Sequence, residues 1–181
     1  MKRLSIALLS SAAALMSATT YADGSFYGSL NLGRADANIG VAGVDDTDTV
    51  LGFGAGYRLN ENFAIELGYQ DFGDISVSSA GASASIKADA IQLSVIGGVP
   101  VSENAGVYAE LGFDSWDADL TYTNFPGLGS GSASGDDTEI FYGIGAYMSL
   151  SETVDLKFEY QLHELDDTDV DILGLGFTVS F

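Results

Sequence analysis

One acidic tetrapeptide recurs in this sequence: Asp45-Asp46-Thr47-Asp48 returns as Asp166-Asp167-Thr168-Asp169, and Asp136-Asp137-Thr138-Glu139 is a near copy. Carboxylate oxygens at this density are the donors that Ca2+ and Mg2+ prefer. An EF-hand is excluded, because that loop needs alternating ligands, a glycine at its sixth position and a glutamate at its twelfth, and no copy supplies the set. Two readings stay open. Either the aspartates keep chain ends solvated, or Asp45, Asp46, Asp48, Asp136, Asp137, Glu139, Asp166, Asp167 and Asp169 share weakly held divalent cations along one rim, joined by Asp71, Asp74, Asp114, Asp117 and Asp119. No other cofactor is expected. Catalytic chemistry has little to work with: cysteine is absent, which removes thiolate nucleophiles and the usual zinc sites, and His163 is the single histidine. Glu164 and loop serines lie near it in sequence, but no serine sits at a spacing that selects it, so no catalytic residue is assigned and no enzyme is expected.

Each acidic copy precedes an apolar stretch holding Gly-x-Gly, at Gly52 and Gly54, Gly143 and Gly145, and Gly174 and Gly176. A phosphate cradle would need those glycines at a strand-to-helix turn. They lie instead inside segments of period two. From Phe63 the run FAIELGYQD puts Phe63, Ile65, Leu67 and Tyr69 on one face and Ala64, Glu66, Gly68 and Gln70 on the other, which is the alternation of a strand. TVLGFGAGYRL and VDLKFEYQL alternate in the same way. Eight such segments follow one another, at 25–35, 49–59, 63–71, 86–99, 106–117, 138–150, 154–162 and 170–181. Their connections alternate too: 60–62, 100–105 and 151–153 are short, whereas 36–48, 72–85, 118–137 and 163–169 are longer and rich in Asp, Ser and Gly.

The compartment is readable from the first residues. Lys2 and Arg3, an apolar stretch from Leu4 to Met16, and Thr20-Tyr21-Ala22 have the order of a signal peptide with cleavage after Ala22. That stretch is well short of the ~20 residues a spanning helix needs. Residues 1–22 are therefore expected to be removed and 23–181 to form one domain. Loss of Lys2 and Arg3 takes the formal charge from −20 to −22 and leaves Arg34, Arg58, Lys87 and Lys157 as its only cations, so nucleic acid is excluded as a partner. A hydrophobic content of 46%, with nine Tyr and ten Phe, argues against the disorder that such charge would otherwise bring.

Large apolar faces backed by glycine and charge, joined by turns that are short on one side and long on the other, fit an all-β, eight-stranded antiparallel up-and-down transmembrane barrel. The last strand, VDILGLGFTVSF, ends on an aromatic and shows Leu173, Leu175, Phe177, Val179 and Phe181 on its apolar face. With YGIGAYMSLSETVDLKFEY at 142–160 and YAELGFDSW at 108–116, this resembles the OmpA-like eight-stranded outer-membrane barrel proteins over essentially all of 23–181. The resemblance implies residence in the outer membrane of a Gram-negative bacterium, among membrane lipid and lipopolysaccharide. It also implies that the barrel-assembly machinery reads Phe177, Val179 and Phe181. Nothing follows Phe181, so the peptidoglycan-binding domain of larger members is not expected, and the chain is expected as a monomer.

Parity then sorts the remaining side chains. Phe26, Tyr57, Phe63 and Phe181 form one outward belt, and Tyr69, Phe113, Tyr142 and Tyr160 the other. Arg58, Glu66, Glu110, Lys157 and Glu159 face inward as a polar network, offset in part by tyrosines such as Tyr27 and Tyr147, and an eight-stranded interior is just wide enough for side chains to fill. Trp116 is inward by parity unless a bulge reverses it. The expected function is a structural or surface-contact barrel with a plugged lumen. A small-solute or ion porin is the alternative, and a lipid A-modifying barrel enzyme, which would need a Ser, His and acid set at the outer rim, is a more distant one.

Overall fold

The computed structural model describes residues 25–37, 47–79, 82–125, 129–165 and 168–181. The leader assigned to 1–22, and Asp45, Asp46, Asp166 and Asp167 of the acidic repeats, lie outside them. Eight strands follow in order: β1 (Ser25–Ala37), β2 (Thr47–Arg58), β3 (Phe63–Ser79), β4 (Ala82–Ser102), β5 (Ala105–Phe125), β6 (Gly129–Ser149), β7 (Val154–Leu165) and β8 (Thr168–Ser180). Each pairs antiparallel with its sequence neighbours, and β1 pairs with β8 from Tyr27↔Ser180 to Ala37↔Val170, so the sheet closes into a barrel with no edge through the paired zone. Phe181 is stitched into that seam, its N–H donating to the Phe26 carbonyl at 2.9 Å.

Period two decides which way each side chain points, and the outside is apolar. Leu30, Phe53, Leu67, Leu93, Leu111, Ile144, Phe158 and Leu175 stand exposed around the wall. Such a contiguous band of exposed aliphatics suits lipid and not water. Both aromatic belts face outward as their parity requires: Phe26 packs on Tyr57 at 4.9 Å in the lower belt, and Phe53 on Tyr69 at 5.3 Å leads to the upper. The short turns are closed by side-chain oxygens. Asn60 Oδ1 accepts the N–H groups of Asn62 and Phe63, and Ser151 Oγ those of Thr153 and Val154.

Three segments read as loops are largely strand instead, 163–169 among them, of which β7 and β8 take all but 166–167. The ranges 72–85 and 118–137 are largely absorbed into β3, β4, β5 and β6, of which the last three have 21 residues each against 12 or 13 in β1, β2, β7 and β8. Above the lipid band a strand needs no apolar face, so Ser, Ala, Gly and Thr carry the backbone ladder onward without any hydrophobic signature. β3 pairs with β2 only as far as Asp71, and β6 with β7 only from Phe141, so β3 to β6 continue beyond the closed barrel as a projecting sheet. A bulge between Asp71 and Asp74 marks the departure, with Gly73 at φ 88° and its N–H donating to Asp71 Oδ1 at 2.9 Å.

Where the sheet leaves the apolar band, register brings four outward aspartates side by side, Asp71↔Asp89, Asp89↔Asp117 and Asp117↔Asp136. Burial and the Asp117 and Asp71 charges push the Asp89 carboxyl above its ordinary value. The Asp136–Glu139 copy therefore sits well inside β6 and not at its start, and its residues alternate between faces.

Candidate functional site in the barrel interior

Inward parity gathers the charged residues of four strands, β2, β3, β5 and β7, in the half of the lumen nearer the short turns. Lys157 Nζ lies 3.2 Å from Glu159 Oε2 and 5.1 Å from the centroid of the Tyr108 ring. The Tyr108 hydroxyl donates to the Glu159 carboxylate, and Gln161 Nε2 donates to Glu159 Oε1 at 2.7 Å. Ser29 donates to Glu66 Oε1 at 2.6 Å. Glu66 and Glu110 lie within Coulombic reach of Lys157, and Ser94 within hydrogen-bonding reach of Glu110. All of these side chains are buried. A single ammonium among three carboxylates is tolerable only because polar neighbours take up the remaining lone pairs; an isolated ion in this position would cost several kcal/mol.

Arg58 stands apart from that group. It is half exposed at the short-turn rim, where it pairs with Asp155 at 2.9 Å, donates to the Ser180 hydroxyl, and covers the Tyr27 ring at 5.1 Å from its centroid. The expected five-residue network is thus two groups. Lys157, Glu159, Glu66 and Glu110 form the central one, and Arg58 with Asp155 a second near the mouth, because Arg58 is the last residue of β2 while Lys157 stands two residues further up its own strand than Asp155. Between rim and centre lies a cavity of about 670 Å³ that opens toward the short turns. Tyr147 lines that cavity, whereas the hydroxyl that meets a carboxylate is that of Tyr108.

The far half of the lumen has another chemistry. His163 Nδ1 is 2.5 Å from Asp114 Oδ2 and its Nε2 is 3.2 Å from Gln161 Oε1, while Phe141 stacks on the ring at 5.0 Å and Phe72 meets it edge-on at 5.3 Å. His163, Asp114 and Phe141 are fully buried, each 0% exposed. Beyond them Ala35, Val50, Phe72, Ala90, Val170 and Ile172 pack into an apolar cluster, with Ala88 and Trp116 against it. Trp116 therefore points inward, paired with the buried Ala90, and no bulge reverses it.

Several sequence-based assignments change here. His163 is not at a loop entry and its acid partner is not Glu164, which is exposed on the opposite face, but Asp114 from β5. Asp114 accordingly leaves the rim. Both nitrogens of His163 face oxygen acceptors, so neither is left to activate a nucleophile. Glu139 and Asp137 have inward parity while Asp136 points out, which splits this acidic copy across the sheet. Among the described residues no three His, Asp or Glu side chains converge on a common metal position. The apolar cluster was missed from sequence, although a signal exists. Val50-Leu51, Phe141-Tyr142 and Ile172-Leu173 are apolar doublets, and in a period-two segment one member of each must face inward.

Several strand glycines, among them Gly145 and Gly176 of the pairs that follow the acidic copies, are clearances. A Cβ on Gly145 would collide with the Tyr108 ring, one on Gly56 with Tyr27, and one on Gly176 with Asn31. Gly112 similarly makes room for Phe141. Large inward groups are thus accommodated by bare backbone on the neighbouring strand.

Comparison with known proteins places this geometry. Outer membrane protein A of Salmonella typhi is 29% identical over 113 residues, and that of Yersinia pseudotuberculosis 32% over 115, each match covering 61% of this chain and 32% of the relative. The matched region thus spans about a third of the length of these relatives. Among solved structures, Neisserial surface protein A superposes with a TM-score of 0.68 at 16% identity, covering 86% of this chain and 97% of that one. Ail, the attachment invasion locus protein of Yersinia pestis, solved in complex with the heparin analogue sucrose octasulfate, gives 0.66 at 15%, covering 88% and 99%. These structural likenesses concern the fold. The family described as "Outer membrane protein beta-barrel domain" matches residues 5–181, and the chain belongs to it.

Proposed function

We propose that this outer-membrane barrel acts as a structural and surface-contact protein whose lumen does not pass solutes. The observation that supports the reading is the far half of the interior, where the buried His163–Asp114 pair, Phe141, Phe72 and the apolar cluster pack together inside a wall of eight strands, whose lumen is narrow enough for side chains to fill. The projecting sheet of β3 to β6 supplies the contact surface. A small-solute pore is the competing reading, and the cavity of about 670 Å³ on the short-turn side is what favours it. Planar-bilayer recordings of the folded protein separate the two: a silent bilayer supports the plugged barrel, and steady conductance at neutral pH removes it. No catalytic role is proposed.

Phe177, Val179 and Phe181 on the outer face of β8 serve as the signal read by the assembly machinery, and the barrel functions as a monomer in lipid and lipopolysaccharide. The aspartate row Asp71, Asp89, Asp117 and Asp136 supports weak, shared binding of Ca2+ or Mg2+ between the rim and lipid phosphates. Thermal unfolding in lipopolysaccharide vesicles, with Ca2+ or with chelator, tests it, and equal cation dependence in an all-Asn/Gln rim variant rules the rim out.

A further inference from the structure

The cavity on the short-turn side has a charge pattern that the barrel's closure does not require. Each of the three tight turns carries one glutamate at its tip, Glu61, Glu103 and Glu152, and all three line the mouth. On the floor Glu66 is buried, and its Oε2 and the neighbouring Tyr27 hydroxyl are both without a hydrogen-bond partner. A buried carboxylate oxygen with an unused lone pair costs free energy unless something donates to it. The two cations of the cavity are already spoken for, Arg58 by Asp155 and Lys157 by Glu159. Among the described residues the three turn carboxylates are thereby left facing the space without an ion pair, and Glu66 shares Lys157 with Glu159 and Glu110.

The walls also show what they accept. Arg58 and Lys157 each lie 5.1 Å from the centre of a tyrosine ring, so Tyr27 and Tyr108 already act as faces for cations. Glu61 and Glu66 are five residues apart along one hairpin, and a rise of about 3.3 Å per residue on a tilted strand separates mouth from floor by roughly 13 Å. A compact ion reaches one end only. A linear molecule with ammonium groups at both ends reaches both.

We propose that this cavity is a binding site for linear oligoamines, entered from the short-turn side. One ammonium group donates to Glu66 Oε2 on the floor, the methylene chain lies along the Tyr27 and Tyr108 rings, and the other ammonium groups are held by the turn glutamates. The three mouth carboxylates also raise the local concentration of polycations, so binding weakens steeply with salt.

The test is calorimetric titration of spermidine into the folded barrel in nanodiscs of zwitterionic phosphatidylcholine, which offer no competing anionic lipid. Saturable binding of one spermidine per barrel is expected. Glu66→Gln should weaken it about tenfold, the loss of one charge-assisted hydrogen bond, and E61Q/E103Q/E152Q should weaken it by at least as much while leaving the heat-modifiable gel mobility of a folded barrel intact. The triple variant alters exposed turns only, so it decides the matter even where E66Q impairs folding. Absence of saturable heat, triple-variant binding equal to wild type, or displacement of spermidine by Mg2+ at equal charge concentration would each overturn the proposal, the last by reducing the site to diffuse attraction.

Discussion

The two halves of the barrel interior are built from the same strands and solve the same packing problem differently. Toward the short turns the filling is charged and open to a cavity of about 670 Å³: Lys157 with three glutamates, then Arg58 with Asp155 at the rim. Toward the projecting sheet it is aromatic and apolar around the buried His163–Asp114 contact, with His163 between Phe141 and Phe72 and an apolar cluster above. The difference lies in what an error costs. A charged layer fails when one partner is removed, whereas an aromatic layer fails in proportion to the volume lost.

That contrast can be broken most forcefully at Lys157. Lys157→Met leaves three carboxylates facing one another in a buried layer, and urea unfolding in lipid should show a loss of about 4 kcal/mol. An unchanged midpoint would mean that protonation or solvation of the carboxylates, not Lys157, offsets the charge of the layer. Phe141→Ala in the other half should cost about 3 kcal/mol for the lost volume. Combined with Phe72→Ala it should also let current through a planar bilayer, whereas Arg58→Ala at the already open rim should not. Conductance from the rim variant alone would place the constriction in the wrong half.

Outside the lumen the effects shrink. The Asp89 carboxyl is pushed up, so its folded form holds a proton more readily than the unfolded one, and its charge opposes folding above the raised value. Asp89→Asn should therefore stabilise the barrel at neutral pH, and the advantage should fade as pH falls through the folded value toward the ordinary carboxylate range; unfolding followed across pH checks it. Lys87→Ala should change stability by less than about 0.5 kcal/mol, since its contact with Asp74 is 4.0 Å long and more than half exposed.

Which residues face lipid and which face the lumen was largely legible, because alternation assigns a face once a strand is recognised; Trp116, whose direction a bulge could have reversed, needed the register. Glu66, Glu110, Lys157 and Glu159 all fall where parity puts them. Strand length was not legible. Residues 118–125 and 129–137 hold Ser, Gly, Thr and Asp, which read as loop because strand propensity largely reflects packing against a surface, and these residues have no such surface. The apolar cluster was hidden for the converse reason: Val50, Ile172 and Phe141 look like part of the lipid face until the neighbour in each doublet is seen to occupy it.

By itself, then, the sequence determined the strand count, the antiparallel order, the inward and outward sets and the narrowness of the lumen, since all of these follow from period two and from turns that alternate in length. Only the tertiary structure decided who meets whom inside. His163 meets Asp114 and not Glu164, and Arg58 meets Asp155 and not Glu66, because height along the axis depends on the registers accumulated from strand to strand around the closed wall, and each of these contacts joins strands that do not pair with each other. Alternation specifies a direction for each side chain; closure of the barrel specifies its neighbours.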